Sequence, residues 1–498
     1  MIRKFLVLLF LFILSCGSET RNPDEIIIAL DSEPQRINPL FLTDLNSHMV
    51  SNLIFRGLVS IDESGNPKPE LAKSWSIKDG GREIIFHLRE DVYWHDGSKF
   101  KAQDVLFTYK LLTSQDTPSP RKGVLGPVEE IRILDNYKIA IRYTEPYGSA
   151  IESWRIGILP KHLGEKVLDT SFDINPIGTG PWRLTRWQRG HSIVFEAFDK
   201  FYYDIPKIRK IILKFIPDQT TKYLEMKAGR VDVGELPSYV KIYELEEKFN
   251  QYKTDSFRYV CLGFNLLNPL FQDEKIRVAI AYLINRNELI KAVLNGKGNL
   301  SLGPYPRGVW YYNDRIKPYP YSPKRGKEIL KEVSAENLNF KIFINIENKE
   351  LLKTAQFIQQ ALKDVGVQTE IRVFDWQTLR HRILEEKNFD AVVLSRAYLW
   401  DPDIYDLWHS SKAERGGWNL FSFKDKEVDS LLERGRKTVD TKVRAEIYRK
   451  VHKLLYEKQA CIFLYETPLI FYANKKIKGI KANPQGMLYG VEKWFLKD

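Results

Sequence analysis

Residues 55–112 read FRGLVSIDESGNPKPELAKSWSIKDGGREIIFHLREDVYWHDGSKFKAQDVLFTYKLL, and this stretch decides the fold class of the chain. The Gly, Asn and Pro residues at 63–67 predict a turn, and the alternation of apolar and polar residues at 83–89 predicts a strand. Asp96-Gly97 is a further turn signal, and the apolar spacing across 102–112 predicts a helix. The stretch therefore encodes a turn, a strand pair and a helix start in one compact order.

The same stretch carries a series of short motifs in a fixed order. They are Gly57-Leu58-Val59, Pro69-Glu70-Leu71-Ala72-Lys73-Ser74-Trp75, Asp79-Gly80, Phe86-His87-Leu88-Arg89, His95-Asp96-Gly97 and Ala102-Gln103-Asp104-Val105. With these motifs the chain resembles the extracytoplasmic solute-binding proteins, family 5, of peptide-type ABC importers (the dipeptide, oligopeptide and nickel group). The resemblance covers residues 24–479. It implies an α/β, bilobal periplasmic-binding-protein fold, type II-like, with an extra subdomain in the first lobe and a hinge between the lobes.

The length of the chain, 498 residues, is too great for one hydrophobic core, so two or three domains are expected. The resemblance implies how they divide. The expected segments are a signal peptide at 1–15, lobe 1 at 16–42, the extra subdomain at 43–172, lobe 1 again at 173–258, lobe 2 at 259–466 and a return to lobe 1 at 467–498.

The N-terminus has the form of a secretory signal. Arg3 and Lys4 precede an apolar run at 5–14 that is too short to span a bilayer. The following Ile13-Leu14-Ser15-Cys16 resembles a bacterial lipobox, in which Cys16 becomes the lipid anchor after cleavage. The alternative is an ordinary signal peptide with an incidental cysteine. An extracytoplasmic protein (periplasm or cell envelope), anchored to the membrane by lipid, is expected.

The net charge of the chain is +12, but its Lys and Arg residues are interspersed with acids and form no basic tract. This distribution, together with secretion, argues against a nucleic-acid partner. Attraction to an anionic membrane surface or to acidic partners is the milder interpretation.

The remaining cysteines, Cys261 and Cys461, lie in apolar strand-like runs. They are either two buried free thiols or a disulfide formed in an oxidising compartment. Their spacing is not that of CxxC, and the histidines do not form HExxH, so no built-in metal site and no cofactor are expected. GxSxG and P-loop motifs are also missing from the sequence, and His95-Asp96 is interpreted as a turn. The sequence therefore predicts a protein that is not an enzyme.

The segment 395–403 is expected to carry the ligand site, because it follows a buried strand and open α/β sheets bind ligands at the carboxyl ends of their strands. In peptide-binding relatives this segment resembles Trp-x-x-Asp-x-x-Asp-Pro, whose first Asp binds the α-ammonium of the ligand. Alignment on Asp401-Pro402 places that Asp at Tyr398 and the Trp at Ser395. A buried ammonium needs a paired anion, and a tyrosine supplies none at neutral pH.

Three consequences of Tyr398 remain open. Asp401, Asp403 or Glu33 takes over the anionic role, the ligand binds in another register, or the ligand is not a peptide with a free N-terminus. Arg396 either pairs with a carboxylate of the ligand or is a solvated loop charge. Trp400 either lines the cleft or packs in the core.

The resemblance supplies further candidates: Asn419 to bond a peptide backbone, Trp418 to wall the pocket, and Glu33 and Gln35 from the first lobe. The full set of predicted ligand-binding residues is Glu33, Gln35, Arg396, Tyr398, Trp400, Asp401, Trp418 and Asn419.

The resemblance implies a monomeric lipoprotein that captures di- or oligopeptides by closure of two lobes and delivers them to the transmembrane subunits of an ABC permease. One alternative keeps the fold and the transport role but has a metal chelate, a sugar or another organic solute as ligand. Another is an envelope interaction protein or an enzyme on the same scaffold.

Overall fold

The computed structural model describes residues 23–236 and 245–497. Over these ranges it contains no helix whose length and hydropathy would let it cross a membrane. The predicted signal peptide and Cys16 lie outside the described residues.

The chain alternates between strands and helices for most of its described length. In chain order the strands are β1 (Glu25–Leu30), β2 (Val59–Ile61), β3 (Pro67–Pro69), β4 (Ala72–Lys78), β5 (Glu83–Leu88), β6 (Val128–Asp135), β7 (Lys138–Tyr143), β8 (Trp182–Gln188), β9 (Ser192–Ala197), β10 (Lys210–Phe215), β11 (Val233–Glu235), β12 (Phe249–Phe264), β13 (Asn299–Leu300), β14 (Asn339–Asn345), β15 (Gln368–Phe374), β16 (Ala391–Ala397), β17 (Cys461–Asn474), β18 (Ile477–Lys478) and β19 (Phe495–Leu496). The α-helices are α1 (Leu45–Ile54), α2 (Ala102–Thr113), α3 (Thr170–Ile174), α4 (Gln219–Lys227), α5 (Glu274–Leu283), α6 (Arg286–Leu294), α7 (Pro323–Glu332), α8 (Lys349–Lys363), α9 (Trp376–Arg380), α10 (Tyr405–Trp408), α11 (Lys426–Lys437) and α12 (Thr441–Glu457).

One large sheet runs through both halves of the molecule in the order β15-β14-β16-β12-β17-β11-β1-β10-β9-β8. The run EIIIAL of β1 is almost wholly apolar because β1 lies between β10 and β11, parallel to both, inside the sheet. At the centre, β12 and β17 pair antiparallel from Phe249–Asn474 to Gly263–Cys461, and their register shifts between Asp255 and Tyr259. This irregularity lies midway between the two halves of the sheet.

The hydrophobic side chains form separate cores on either side of that irregularity. The first lobe has its main core from residues 26–233 and 471–494, and the second lobe has two cores from residues 259–465. The strands β12 and β17 contribute to both lobes. The chain therefore has the bilobal α/β fold that the sequence predicts.

The opening stretch of the sequence builds the extra subdomain of the first lobe. The strands β4, β5, β7 and β6 form an antiparallel sheet in that order, and α2 packs beside it. The predicted turns occur where glycine is required, since Gly65 has φ 84° and Gly97 has φ 90°. The predicted strand at 83–89 and helix at 102–112 are confirmed as β5 and α2.

The apolar strand-like runs around Cys261 and Cys461 prove to be parts of longer strands. The apolar runs at 259–264 and 461–465 are the second-lobe ends of β12 and β17, which continue into the first lobe. The first half of β12, FNQYKTDSF, is largely polar because it is less buried than the second half. Hydrophobic alternation, the main sequence signal for a strand, is therefore weak there.

Three glycines of the extra subdomain lie directly against the second lobe. A Cβ atom built on Gly148 would lie 2.5 Å from the carbonyl oxygen of Thr438, and one on Gly81 would lie 2.5 Å from Cγ1 of Val439. A Cβ on Gly65 would lie 3.6 Å from the carbonyl oxygen of Trp400. The backbones of the two lobes thus approach closely at positions without a side chain.

Polar contacts bridge the lobes at the same place. The backbone N–H of Gly148 donates to the carbonyl oxygen of Arg436 at 2.7 Å, and Lys437 pairs with Glu145 at 2.8 Å. The lobes are therefore in contact along the side of the subdomain, and a cavity lies between them.

Candidate ligand-binding site

A cavity of about 1420 Å³ lies between the lobes. The first lobe lines it with the loop after β1, with α1, with the short 3-10 helix Glu152–Arg155 and with Glu235 of β11. The second lobe contributes the start of α8 and the segment that follows β16, and the irregular part of β12 forms the wall between the lobes. The volume exceeds the ~300–1,000 Å³ of ordinary small-molecule pockets, so the cavity has room for a peptide or a bulky chelate.

Tyr398, which occupies the position of the expected anion, lines the cavity but is itself only 4% exposed. Its hydroxyl donates to Oε1 of Glu466 at 2.8 Å and lies 3.2 Å from Oγ of Ser301. Burial raises the pKa of Tyr398 well above its usual value, and the neighbouring Glu466 adds to the effect. The side chain is therefore neutral and fixed.

Glu466 is a buried carboxyl behind Tyr398, and it is only 2% exposed. It lies on β17 and pairs with Tyr259 of β12 at the edge of the register shift. Burial raises its pKa to about 7, and the nearby carboxylate of Asp255 raises it further, whereas the hydrogen bond from Tyr398 opposes the shift. This acid is held inside the wall and does not face the ligand space directly.

Tyr398→Phe is expected to lower the free energy of unfolding by about 1–3 kcal/mol at pH 8 and by less at pH 5. The folded-state pKa of Glu466, about 7, lies above its unfolded value, so the protein loses stability as pH rises through that window. The variant removes the donor that partly offsets this loss. Urea denaturation of the ligand-free protein measures the effect.

The matched control for this variant is Tyr321→Phe, because Tyr321 is 52% exposed. It should leave the unfolding midpoint unchanged at both pH values. An equal loss at pH 5 and pH 8 for Tyr398→Phe would contradict the role given to Glu466.

Trp400 both lines the cavity and packs on another aromatic ring. Its ring stacks on Phe257 with centroids 3.7 Å apart and planes inclined by 15°. Phe257 lies in the irregular part of β12 and also lines the cavity. The pair forms an aromatic wall beside the junction of the lobes.

Asp401 faces the cavity, but its charge is already paired. Its carboxylate oxygens lie 2.8 and 3.1 Å from Nη2 of Arg444, and Ser149 of the first lobe donates to it at 2.9 Å. Asp403 is likewise bound to Nε of Arg436 at 2.8 Å. Both second-lobe acids that could replace the missing anion are thus bound to protein partners.

Arg396 lies on the opposite face of β16 from the cavity. Ser395 and Ala397 line the cavity, so the intervening side chain points into the second lobe. Its guanidinium lies 5.4 Å from the ring centroid of Phe421 and 5.8 Å from that of Trp408. The sequence indicated a loop at Arg396, but β16 continues to Ala397. Because side chains alternate along a strand, Arg396 points away from the cavity.

Trp418 and Asn419 also lie away from the cavity lining. Asn419 is fully buried and closes its own loop, since its side chain donates to the carbonyl oxygens of His409 and Phe423. Trp418 is 55% exposed. Asn419 therefore organises the loop, and no described contact brings either residue to the ligand space.

The two first-lobe candidates lie beside the cavity rather than on its wall. Glu33 accepts hydrogen bonds from Nε1 of Trp187 at 2.7 Å and from the backbone N–H of Gly190 at 2.9 Å. It thereby anchors the β8–β9 hairpin. Gln35 is exposed, whereas Asp31 and Ser32 of the same loop line the cavity.

The cavity wall contains charged residues that the sequence did not single out. Burial raises the pKa of Glu152 to about 7, with Asp401 adding to the shift, and burial also raises the pKa of Glu235 to about 7. Arg155 lines the same wall, and its side chain has no hydrogen-bond or ion-pair partner within the described ranges. These positions fall in no motif, so only tertiary structure brings them together.

A cationic corner forms around Arg155. Arg121 and His48 line the cavity as well. Burial and the charge of Arg155 lower the pKa of Arg121 to about 10, and burial with Arg121 lowers that of His48 to about 4. This corner suits an anionic group such as a carboxylate.

The cysteines and possible metal ligands give no further site. Cys261 and Cys461 are free and buried, and burial together with the neighbouring Cys261 raises the pKa of Cys461. Among residues 23–236 and 245–497, no three His, Cys, Asp or Glu side chains are grouped so as to hold a metal ion.

Comparison with known proteins shows which protein family has this architecture. Residues 66–418, well over half of the chain, match the model of the bacterial extracellular solute-binding proteins, family 5 Middle. The oligopeptide-binding protein AppA of Bacillus subtilis is 28% identical over 100% of this chain and 98% of its own.

Solved structures give the same result. NikZ from Campylobacter jejuni in complex with Ni(L-His) has a TM-score of 0.82 and 30% identity, covering 95% of this chain and 100% of NikZ. AppA from Bacillus subtilis in complex with a nonapeptide has a TM-score of 0.80 and 26% identity, covering 95% and 99%. Family members are solute-binding proteins of ABC transporters and not enzymes, as the sequence predicted. The chain therefore belongs to family 5 of the bacterial extracellular solute-binding proteins.

Proposed function

We propose that this protein captures di- or oligopeptides between its two lobes and delivers them to an ABC permease. The observation that carries the proposal is the cavity of about 1420 Å³ between the lobes, with its mixed aromatic and charged wall. AppA, to which the chain is similar along its whole length, is an oligopeptide-binding protein whose structure holds a nonapeptide. The protein acts as a monomer outside the cytoplasm, attached to the membrane through lipidated Cys16.

Capture in this proposal depends on closure about a hinge. The hinge lies where β12 and β17 lose register between Asp255 and Tyr259, because irregular pairing gives the strands the freedom to bend there. The lobe boundaries at 258/259 and 466/467 fall beside this point. The extra subdomain, 43–172, moves with the first lobe, with which it shares a core.

A second candidate ligand is an anionic solute such as an amino-acid metal chelate. The neutral Tyr398 and the cationic corner of Arg121 and Arg155 favour it, since they suit a carboxylate better than an ammonium group. The structure of NikZ, 30% identical, is a complex with Ni(L-His).

Native mass spectrometry of the full-length protein purified from producing cells tests the two candidates. A ladder of peptide masses on the protein supports peptide capture. A single non-peptide species, or a nickel isotope pattern with an amino acid, would replace the first candidate with the second.

Cys16→Ser is expected to move the protein from the membrane fraction to the soluble fraction of the envelope. The substitution removes the thiol that would carry the lipid, and the lipid is the proposed means by which the protein is held on the membrane. Fractionation with immunoblotting measures the distribution. The control Cys261→Ser changes a buried thiol and should leave the protein in the membrane fraction; equal membrane retention of both variants would contradict the anchor.

A further inference from the structure

The acidic residues on the cavity wall differ in whether they have partners. Six of them are paired or hydrogen-bonded through their carboxylates: Asp31, Asp44, Glu350, Asp401, Asp403 and Asp406. Among the described residues, the carboxylates of Glu152 and Glu235 alone on this wall have no side-chain hydrogen bond or ion pair. An anion without a partner in a partly desolvated site carries an energetic cost that a cation can remove.

Glu152 opens the short 3-10 helix Glu152–Arg155 on the first-lobe wall. Asp401 of the second lobe acts on Glu152 through its charge, which is already matched by contact with Arg444 and with Ser149. Arg155 is on the same helical turn as Glu152, yet the two side chains form no ion pair within 4.0 Å. The carboxylate of Glu152 is therefore available to a ligand.

Glu235 differs because a buried ammonium group is bound to its own backbone. Lys222 is fully buried, and its ammonium lies 3.1 Å from the carbonyl oxygen of Glu235. Arg258, on the hinge strand, also favours the ionised form of Glu235. The ammonium of Lys222 is fixed in place because it also binds Asp31. The wall itself thus supplies the positive charge at this position.

We propose that Glu152 is the anion that receives a cationic group of the ligand, an alkylammonium. The inference rests on the proposed function and adds to it the position of the charged anchor. The acids expected to replace the missing anion at Tyr398 are Asp401, Asp403 and Glu33, and all three are bound to protein groups. Glu152 is the cavity carboxylate that remains for the ligand, on the opposite lobe from the expected position.

The surroundings of Glu152 are consistent with this role. Burial and Asp401 raise its pKa to about 7, while Arg444 and Arg155 oppose the shift. An ammonium group bound at the carboxylate favours the ionised form, so binding and ionisation support each other.

Isothermal titration of the full-length protein tests the anchor with three probes. They are trialanine, N-acetyl-trialanine and N-acetyl-Ala-Lys-Ala, which separate an α-ammonium from a side-chain ammonium. Glu152→Gln should weaken trialanine, N-acetyl-Ala-Lys-Ala or both by about 10- to 100-fold and leave N-acetyl-trialanine within about twofold. Glu152→Asp keeps the charge and should recover part of the affinity.

Several outcomes overturn the proposal. One is an equal loss for all three probes, which would make Glu152 a structural residue. Another is full affinity for trialanine in Glu152→Gln together with a large loss in Glu235→Gln, which would place the anion on β11. If the wild-type protein binds none of the peptides, peptide capture fails separately, and Glu152 is judged by native mass spectrometry of the copurified ligand. Loss of an amine-bearing species in Glu152→Gln then supports the anchor, and equal retention overturns it.

Discussion

Gly148→Ala is expected to weaken ligand binding by about 10- to 100-fold, because overpacking of this kind typically costs ~1–3 kcal/mol. The added methyl group would lie 2.5 Å from the carbonyl oxygen of Thr438 and 2.8 Å from Nε of Arg444, both in the second lobe. The clash exists only when the lobes are in contact. The substitution therefore opposes closure and leaves each lobe intact.

The measurement combines isothermal titration with small-angle scattering of the liganded protein. The variant should retain a larger radius of gyration at saturating ligand, while the melting temperature of its ligand-free form matches that of the wild type. Gly435→Ala is the matched contrast, because its methyl group would lie 2.6 Å from the ring of Tyr448 inside the second lobe. That variant should lose stability without ligand. Unchanged affinity in Gly148→Ala would show that binding does not require this contact.

Gly148 also shows why one part of the structure can be predicted from the sequence and another part cannot. The strands and helices of 55–112 are set by local alternation, turn residues and caps. Gly148 has no local signature. Its importance comes from a backbone almost 300 positions away in sequence that lies directly against it.

The ligand-binding site was likewise predicted only in part, because a local motif does not reveal its tertiary partners. Tyr398, Trp400 and Asp401 were predicted from a motif, and each lines the cavity. The motif did not indicate that Asp401 is neutralised by Arg444, because the partner lies on α12. Nor did it indicate Glu152, since an acid in an irregular segment has no distinguishing pattern until the opposite lobe covers it.

The alternation of side chains along β16 explains why Arg396 does not face the cavity, although the sequence had led us to expect that it would. Arg396 was expected in a loop, but β16 extends through Ala397. Alternation along the strand then directs Ser395 and Ala397 to the cavity and Arg396 to the core. The end of a strand is the least certain feature of a sequence-based prediction, and a shift of one residue reverses the face.

Arg444→Leu is expected to lower the free energy of unfolding by about 2–4 kcal/mol, somewhat less than the ~3–5 kcal/mol for a fully buried pair. Arg444 is 2% exposed and binds both carboxylate oxygens of Asp401, so its removal leaves an anion without a partner. Asp401 faces the cavity, where water reduces the cost. Urea denaturation of the ligand-free protein measures the loss.

A double-mutant cycle with Asp401→Asn separates the ion pair from lost packing. Asp401→Asn removes the charge that Arg444 balances, so Arg444→Leu should cost at least about 1 kcal/mol less in that background than in the wild type. Lys453→Leu is the control on the same helix, since its exposed pair with Glu457 at 3.7 Å should contribute no more than about 0.5 kcal/mol. Additive losses in the cycle would mean that Arg444 stabilises α12 through packing against Tyr448 rather than through Asp401. Because Ser149 of the first lobe donates to Asp401 and accepts from Arg444, the same cycle in the presence of ligand should give a larger coupling energy than in its absence.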